Sequence, residues 1–341
     1  MKVGCVKYQV KSTDNLDSLS KRLGMNPIDL KEYHNQNCPK MDRIWFPSLN
    51  GVAYLLIPIN YKTSEQKLLE NHQHLPTQNI KQPLHLNHYG VTHTIATVGD
   101  DELEITYNLN FEPPKERNAD YDLVVSRDSF ENKGKRIDSK MGQLALACMQ
   151  AIEPFRFSLN PNGTMEAVAN HHDMVKKFDE EVPTIKEYFT GDAADKYLDD
   201  FKMGISKLSH LEQQLKETLL FQLLFFNKEW MFKVGQWKTA FCLIPHSFPV
   251  TILCETNVNY DLENTVVTTV KGRVIEEVSL YELLKGRRFE NEFEPLDGTV
   301  ELLIITDKQT KKLLKIHFLS ILKNEETVYQ KQTLTIKQNS L

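Results

Sequence analysis

A chain of 341 residues has room for two or three domains. Its 40% hydrophobic and 26% charged residues describe an ordinary soluble globular protein. A net charge of −5 leaves no basic footprint for nucleic acid.

Five cysteines are widely spaced, odd in number and without a CxxC pair. That usage points to free thiols in a reducing compartment, and it argues against a disulfide frame or a zinc site. Met1 to Lys7 has no long apolar run, so no signal peptide is expected. The longest apolar run, Leu219 to Phe226, is too short to span a bilayer. A cytoplasmic location, or delivery by a specialised secretion machine, is the expectation.

In chain order, Tyr8 and Val10 alternate with polar residues and predict a short strand. Asp14 is placed to cap the helix that follows, in which Leu16, Leu19 and Leu23 recur at helical spacing. Gly24 stops it, because only glycine takes the left-handed cap cheaply. Asn26 caps a second helix, with Pro27 at its first position and Ile28, Leu30 and Tyr33 on it. Pro39 to Pro47 reads as loop, and Val52 to Ile57 as a second strand.

That strand–helix–helix–strand order resembles the LysM domain over Tyr8 to Pro58. The family opens with tyrosine, any residue, valine, two spacers and glycine-aspartate-threonine-leucine. Here the last four are Thr13-Asp14-Asn15-Leu16, so the glycine and the threonine are replaced. Leu55-Leu56-Ile57-Pro58 matches the closing strand. The form Leu30-Lys31-Glu32-Tyr33-His34-Asn35 resembles LysM domains linked to type VI secretion spikes.

The resemblance implies a shallow groove for N-acetylglucosamine-containing glycans, between the first strand–helix loop and the second helix–strand loop. By position these are Ser12 to Leu16 and Ile44 to Asn50. The implied glycan- or partner-binding residues are Ser12, Thr13, Asp14, Asn15, Leu16, Trp45 and Pro47. Loss of the glycine puts a side chain where backbone approach was easiest, which favours a docking role over glycan binding.

Tyr61 to Leu86 reads as a polar linker with one helical turn near Glu65 to Asn71, its histidines His72, His74 and His85 solvated. His88 to Val98 and Leu103 to Phe111 alternate and flank Asp100-Asp101, which predicts a β-hairpin. Pro113-Pro114 ends it, Tyr121 to Val125 forms a third strand, and Ser126 to Arg136 is expected as a polar loop. Ser139 caps a helix running to Ile152. A second hairpin turns at Asn160-Pro161-Asn162-Gly163.

From Asn170 to Phe226 the period is helical. Pro183 is expected to interrupt the first helix, and Asp192 to cap the next. His210 to Phe226 is apolar nearly all round toward its end, so it packs against the sheet. Trp237 to Leu243, Val250 to Glu255, Thr265 to Ile275, Thr299 to Thr306, Lys312 to Leu322 and Thr327 to Lys337 are strand candidates.

The expected fold class is α+β. A LysM-like domain occupies 1–60 and a linker 61–86. Residues 87–341 form an α+β domain with an antiparallel sheet or partial barrel, a helical block at about 170–228 inserted between its strands, and C-terminal strands at about 237–337.

No HExxH, GxSxG or Walker-type loop is present. His171-His172-Asp173 reads as a helix cap, because adjacent histidines diverge on a helix. Asp199-Asp200 and Glu180-Glu181 read as solvated faces, and Lys285-Gly286-Arg287-Arg288 as a surface loop. No catalytic residue, metal or cofactor is expected. The leading expectation is a non-enzymatic adaptor or structural component of a contractile injection or type VI secretion apparatus, holding a spike, baseplate or effector protein. Two alternatives stay open: a peptidoglycan-binding protein, and a LysM-targeted cell-wall hydrolase needing a carboxylate pair that sequence cannot identify.

Overall fold

The computed structural model describes residues 4–59, 64–77, 84–112, 122–289 and 294–339. Contacts divide the chain into two units, Met1–Gln73 and His74–Leu341. Tyr61, Pro113-Pro114 and Tyr121, named above as parts of a linker or strand boundary, lie outside the described residues.

In the smaller unit, β1 (Cys5–Gln9) pairs antiparallel with β2 (Tyr54–Pro58), Tyr8 opposite Leu55. Between them run α1 (Leu16–Leu23) and α2 (Pro27–Asn37). Asn15, not Asp14, caps α1: its side chain accepts from Ser18 N–H, and Ser18 Oγ accepts from Asn15 N–H. That reciprocal capping box satisfies two orphan donors, which one Asp14 carboxylate further back cannot reach. Gly24 closes α1 at φ 66°, and Asn26 caps α2 through Ile28 N–H. The core holds eight buried apolar side chains, Leu30 and Leu55 fully so. A helix, α3 (Ser64–His72), follows in the stretch expected as linker.

The larger unit is built on one sheet. Its strands are β3 (His88–Thr97), β4 (Leu103–Glu112), β5 (Asp122–Asn132), β6 (Lys135–Arg136), β7 (Phe155–Leu159) and β8 (Met165–Val168). After a helical stretch come β9 (Gln236–Phe241), β10 (Val250–Asn259), β11 (Thr265–Val274), β12 (Asp297–Asp307), β13 (Leu313–Asn324) and β14 (Thr327–Gln338). The order across the sheet is β8-β7-β5-β4-β3-β14-β13-β12-β11-β10-β9, with β6 paired to β5, and every pairing is antiparallel. The last strand joins the first half of the chain to the second, through Leu334 opposite His93.

Phe241 on β9 stacks on Phe318 on β13, ring centroids 5.3 Å apart. Four strand spacings would hold those backbones roughly 19 Å apart in a flat sheet. The rings meet because the sheet curls around its core.

The helices are α4 (Lys140–Ile152), α5 (His171–Tyr188), α6 (Asp192–Ser206), α7 (Leu208–Glu217), α8 (Leu219–Leu224) and α9 (Leu280–Lys285). The chain leaves β8 at one edge, runs through α5 to α8, and re-enters at β9 on the other edge. The last helix is buried on nearly every side, and Phe221 and Phe225 pack on Phe157 at 5.2 and 4.8 Å. This block also covers both sheet edges. Glu212 accepts from Val168 N–H of β8, and the Gln222 amide both donates to and accepts from the Cys242 backbone beside β9. Unpaired edge groups are satisfied in this way.

Several elements differ from the sequence reading. Ser126 to Arg136 is strand and hairpin, because Lys133 and Gly134 at positive φ make the tight turn that lets β6 fold back on β5. Pro183 lies inside α5, which continues to Tyr188. Gly191 occupies the cap position of α6, and Asp192 sits in its first turn. The helix α9 went unread, although Ser279 and Glu282 form a capping box for it. His85 is buried, not solvated: it stacks on Phe111 at 4.7 Å, and its Nε2 lies 3.1 Å from the Leu224 carbonyl. Leu75 and Leu84 are buried in the same core. No helix among the described residues is long and apolar enough to cross a membrane.

Candidate functional site

The first of the two loops in question starts from a charged knot. Lys11 N–H and the Tyr8 hydroxyl both donate to Asp14 Oδ2, at 2.9 and 2.8 Å. Arg22 donates to the Tyr8 oxygen at 2.7 Å and lies 3.7 Å from Asp14 Oδ1. The Lys11 N–H first, then the Tyr8 hydroxyl, holds the Asp14 carboxyl below its usual range. Asp14 is therefore committed to shaping this turn. Asn15 is committed to capping α1, and Leu16 is 5% exposed, so its side chain belongs to the core and offers the surface only backbone. Ser12 and Thr13 are exposed.

Three consecutive residues of α2 tie the module together, and two of them, His34 and Asn35, hold the second loop. Tyr33 donates from its hydroxyl to the Gly4 carbonyl at 3.1 Å. His34 is fully buried: Leu56 N–H of β2 donates to its Nδ1 at 3.1 Å, so the ring proton sits on Nε2, which donates to the Asp42 carbonyl at 2.8 Å. The Asn35 amide closes a two-way clamp on Ile44, accepting its N–H at 2.8 Å and donating to its carbonyl at 2.9 Å. Ile44 and Leu49 are buried on either side of the loop tip. Between and beside these anchors, Met41, Trp45 and Phe46 are 97, 69 and 75% exposed, and Pro47 is exposed with them. Lys31 Nζ donates to the Trp45 carbonyl at 3.0 Å and adds a further tie.

No protein-family model matches this chain, and no curated protein matches it.

The geometry therefore carries the functional reading. A loop fixed by part-buried hydrogen bonds displays large apolar side chains to solvent. Exposed apolar clusters of this kind mark interaction sites. Among the described residues, no hydrogen bond joins Ser12, Thr13, Asp14 or Asn15 to Trp45 or Pro47. Met41 and Phe46 were missed from sequence; the adjacent aromatic pair in a loop bounded by prolines was the available signal.

The other polar clusters have structural occupations. His171 Nε2 lies 2.7 Å from the Ile205 carbonyl, and Asn170 occupies the cap position of α5. Arg288 pairs with Glu276 and covers Phe248 at 4.3 Å, and Arg287 covers Phe289 at 4.8 Å. Burial pushes the Cys148 and Cys254 thiols up to about 11 and Cys242 up to about 12. That is the opposite of an activated nucleophile. No group of three or more metal-ligating side chains is gathered among the described residues.

Proposed function

We propose that this protein is a non-enzymatic protein-binding adaptor or structural component, with its smaller unit a LysM-type module used for docking. The observation that carries the reading is the 39–50 loop. Met41, Trp45 and Phe46 project from a backbone that His34 and Asn35 hold from inside. Tryptophan anchors carry much of the binding energy in protein interfaces, and a preordered loop binds without a large ordering cost. Supporting the LysM assignment are the paired strands β1 and β2 with two capped helices between them. The setting in a contractile injection or type VI secretion apparatus rests on the resemblance of Leu30 to Asn35 alone.

A protein surface with an apolar recess is the occupant the loop fits. Two aromatics could also stack on a sugar, but the fully displayed Met41 adds nothing to such a platform, and Asp14 is already bonded within the module. Calorimetry of the full chain with N-acetylglucosamine oligomers, run beside affinity capture from the native host, tests the reading. The expected result is no glycan heat, together with a protein that is captured, re-forms the complex from purified components, and is lost with Trp45→Ala. Micromolar glycan binding that disappears with Trp45→Ala, with no protein partner recovered, would transfer the role to the cell wall.

A further inference from the structure

The larger unit contains a cavity of about 670 Å³ between the inner face of the sheet and helices α4, α6, α7 and α8. Close-packed interiors leave few voids larger than a water molecule, and small-molecule sites run from about 300 to 1,000 Å³. Asp200, Thr218, Pro245 and His246 line this space and are exposed, so it opens to solvent on that side. Its helical wall is mainly apolar, with Met149, Phe201 and Leu215 contributing, and carries the polar Asp200, Gln214, Glu217 and Thr218 as well.

The floor differs. His93 on β3 shares the inner face with Tyr89 and Val91, and beside it stands Gln332 on β14, only 2% exposed. Their Nε2 atoms are 2.8 Å apart. An amide nitrogen only donates, so His93 Nε2 accepts and the ring proton sits on Nδ1. Burial pulls His93 down to about 4, which keeps the ring neutral. Neither side chain has another hydrogen-bond partner among the described residues. If the amide is turned over, the ring proton moves to Nε2. In both settings one ring nitrogen and one amide atom are left without a protein partner.

Charge narrows the ligand. Arg127 is the only lysine or arginine lining the cavity among the described residues. Glu153 already neutralises it, with its carboxylate 2.6 and 2.7 Å from the guanidinium and accepting the Arg127 N–H at 2.8 Å. No free lysine or arginine remains among the described lining residues to hold a carboxylate or phosphate, and Asp200 and Glu217 add negative charge that disfavours one.

We propose that this cavity is a binding site for an uncharged, mainly apolar small molecule bearing one hydroxyl, carbonyl or amide group, which bonds to His93 and Gln332. The site is independent of the docking role given to the smaller unit. Both His93 and Ala145, which also lines the cavity, can be changed to test it. The neutral fluorophore N-phenyl-1-naphthylamine is titrated into the full chain, then displaced with dodecanol, dodecane or dodecanoate at pH 7.5. Wild-type protein is expected to bind the fluorophore and to release it to dodecanol more readily than to dodecane or dodecanoate. Ala145→Phe, which fills the space, should abolish fluorophore binding. His93→Phe, which keeps a ring and removes both nitrogens, should retain the fluorophore but weaken dodecanol about tenfold, the size of one lost hydrogen bond. No fluorophore binding by cooperatively folding wild-type protein overturns the proposal. So does binding that Ala145→Phe leaves intact, or a dodecanoate preference over dodecanol.

Discussion

The two units of this chain solve opposite problems. The smaller one has eight buried apolar side chains, and it compensates with side chains that bond to distant backbone: Tyr33, His34 and Asn35 reach three separate segments. Its large aromatics, Trp45 and Phe46, point outward. The larger unit buries dozens of apolar side chains together with the polar Gln332 and Gln330, and holds a half-buried His93 beside Gln332. A small domain cannot bury enough surface to be stable by packing alone. One unit is therefore shaped by hydrogen-bond clamps that leave large apolar groups displayed to solvent. The other is shaped by packing, which tolerates a polar floor beneath a cavity that opens to solvent.

That contrast can be broken by mutation. The largest effect is expected from Phe157→Ala in the larger unit, where the ring is fully buried against Phe155, Phe221 and Phe225. It should cost about 3–5 kcal/mol, read by denaturant unfolding of the full chain, with the smaller unit's hydrogen-exchange protection unchanged.

Acid should separate the units next. His85 and His93 are held neutral by burial, each at about 4 against 6.5 for a free histidine. The unfolded residue takes up its proton first, so stability falls as the pH drops from about 6.5 toward 4, by about 3 kcal/mol for the buried His85. In the smaller unit Asp14 acts in a lower window. Its carboxyl is lowered below 3.8, so its contribution is present above that value and is lost only on further acidification. Unfolding followed by unit-resolved hydrogen exchange across this range should show the larger unit weakening first. The His93→Phe variant should flatten its slope. A smaller unit that weakens first between pH 6.5 and 4 would contradict the assignment.

A lesser effect, confined to the smaller unit, is expected from His34→Ala. It strands the Leu56 N–H and the Asp42 carbonyl, and because both bonds are only part-buried, water recovers some of the loss and the total cost should be about 1–3 kcal/mol. Exchange protection should drop across α1 and α2 and stay constant in the sheet. Unchanged protection in α2 would show that the clamp does not hold the module.

What the sequence disclosed divides along the same line. Local signals carried far: Gly24, Asn26, Pro27 and Ser139 stand where their capping chemistry put them, and the alternating runs at 88–98 and 103–111 are β3 and β4. Long-range consequences were not legible. That His34 is a buried bridge depends on Leu56, and that His85 is buried depends on Phe111 and Leu224. The cavity floor joins His93 to Gln332 across most of the chain. One misreading was local: a charged turn residue, Asp14, was preferred as cap over the Asn15–Ser18 pair beside it.

The claim that the smaller unit docks through its displayed loop is tested most directly by one variant, Trp45→Ala with Phe46→Ala. Both side chains are largely exposed, so thermal stability should change by no more than about 0.5 kcal/mol. The expected result is an unchanged melt with loss of the partner that wild-type protein captures and re-binds in purified form. An unchanged melt with the partner still bound at wild-type affinity would show that the loop is not the docking surface.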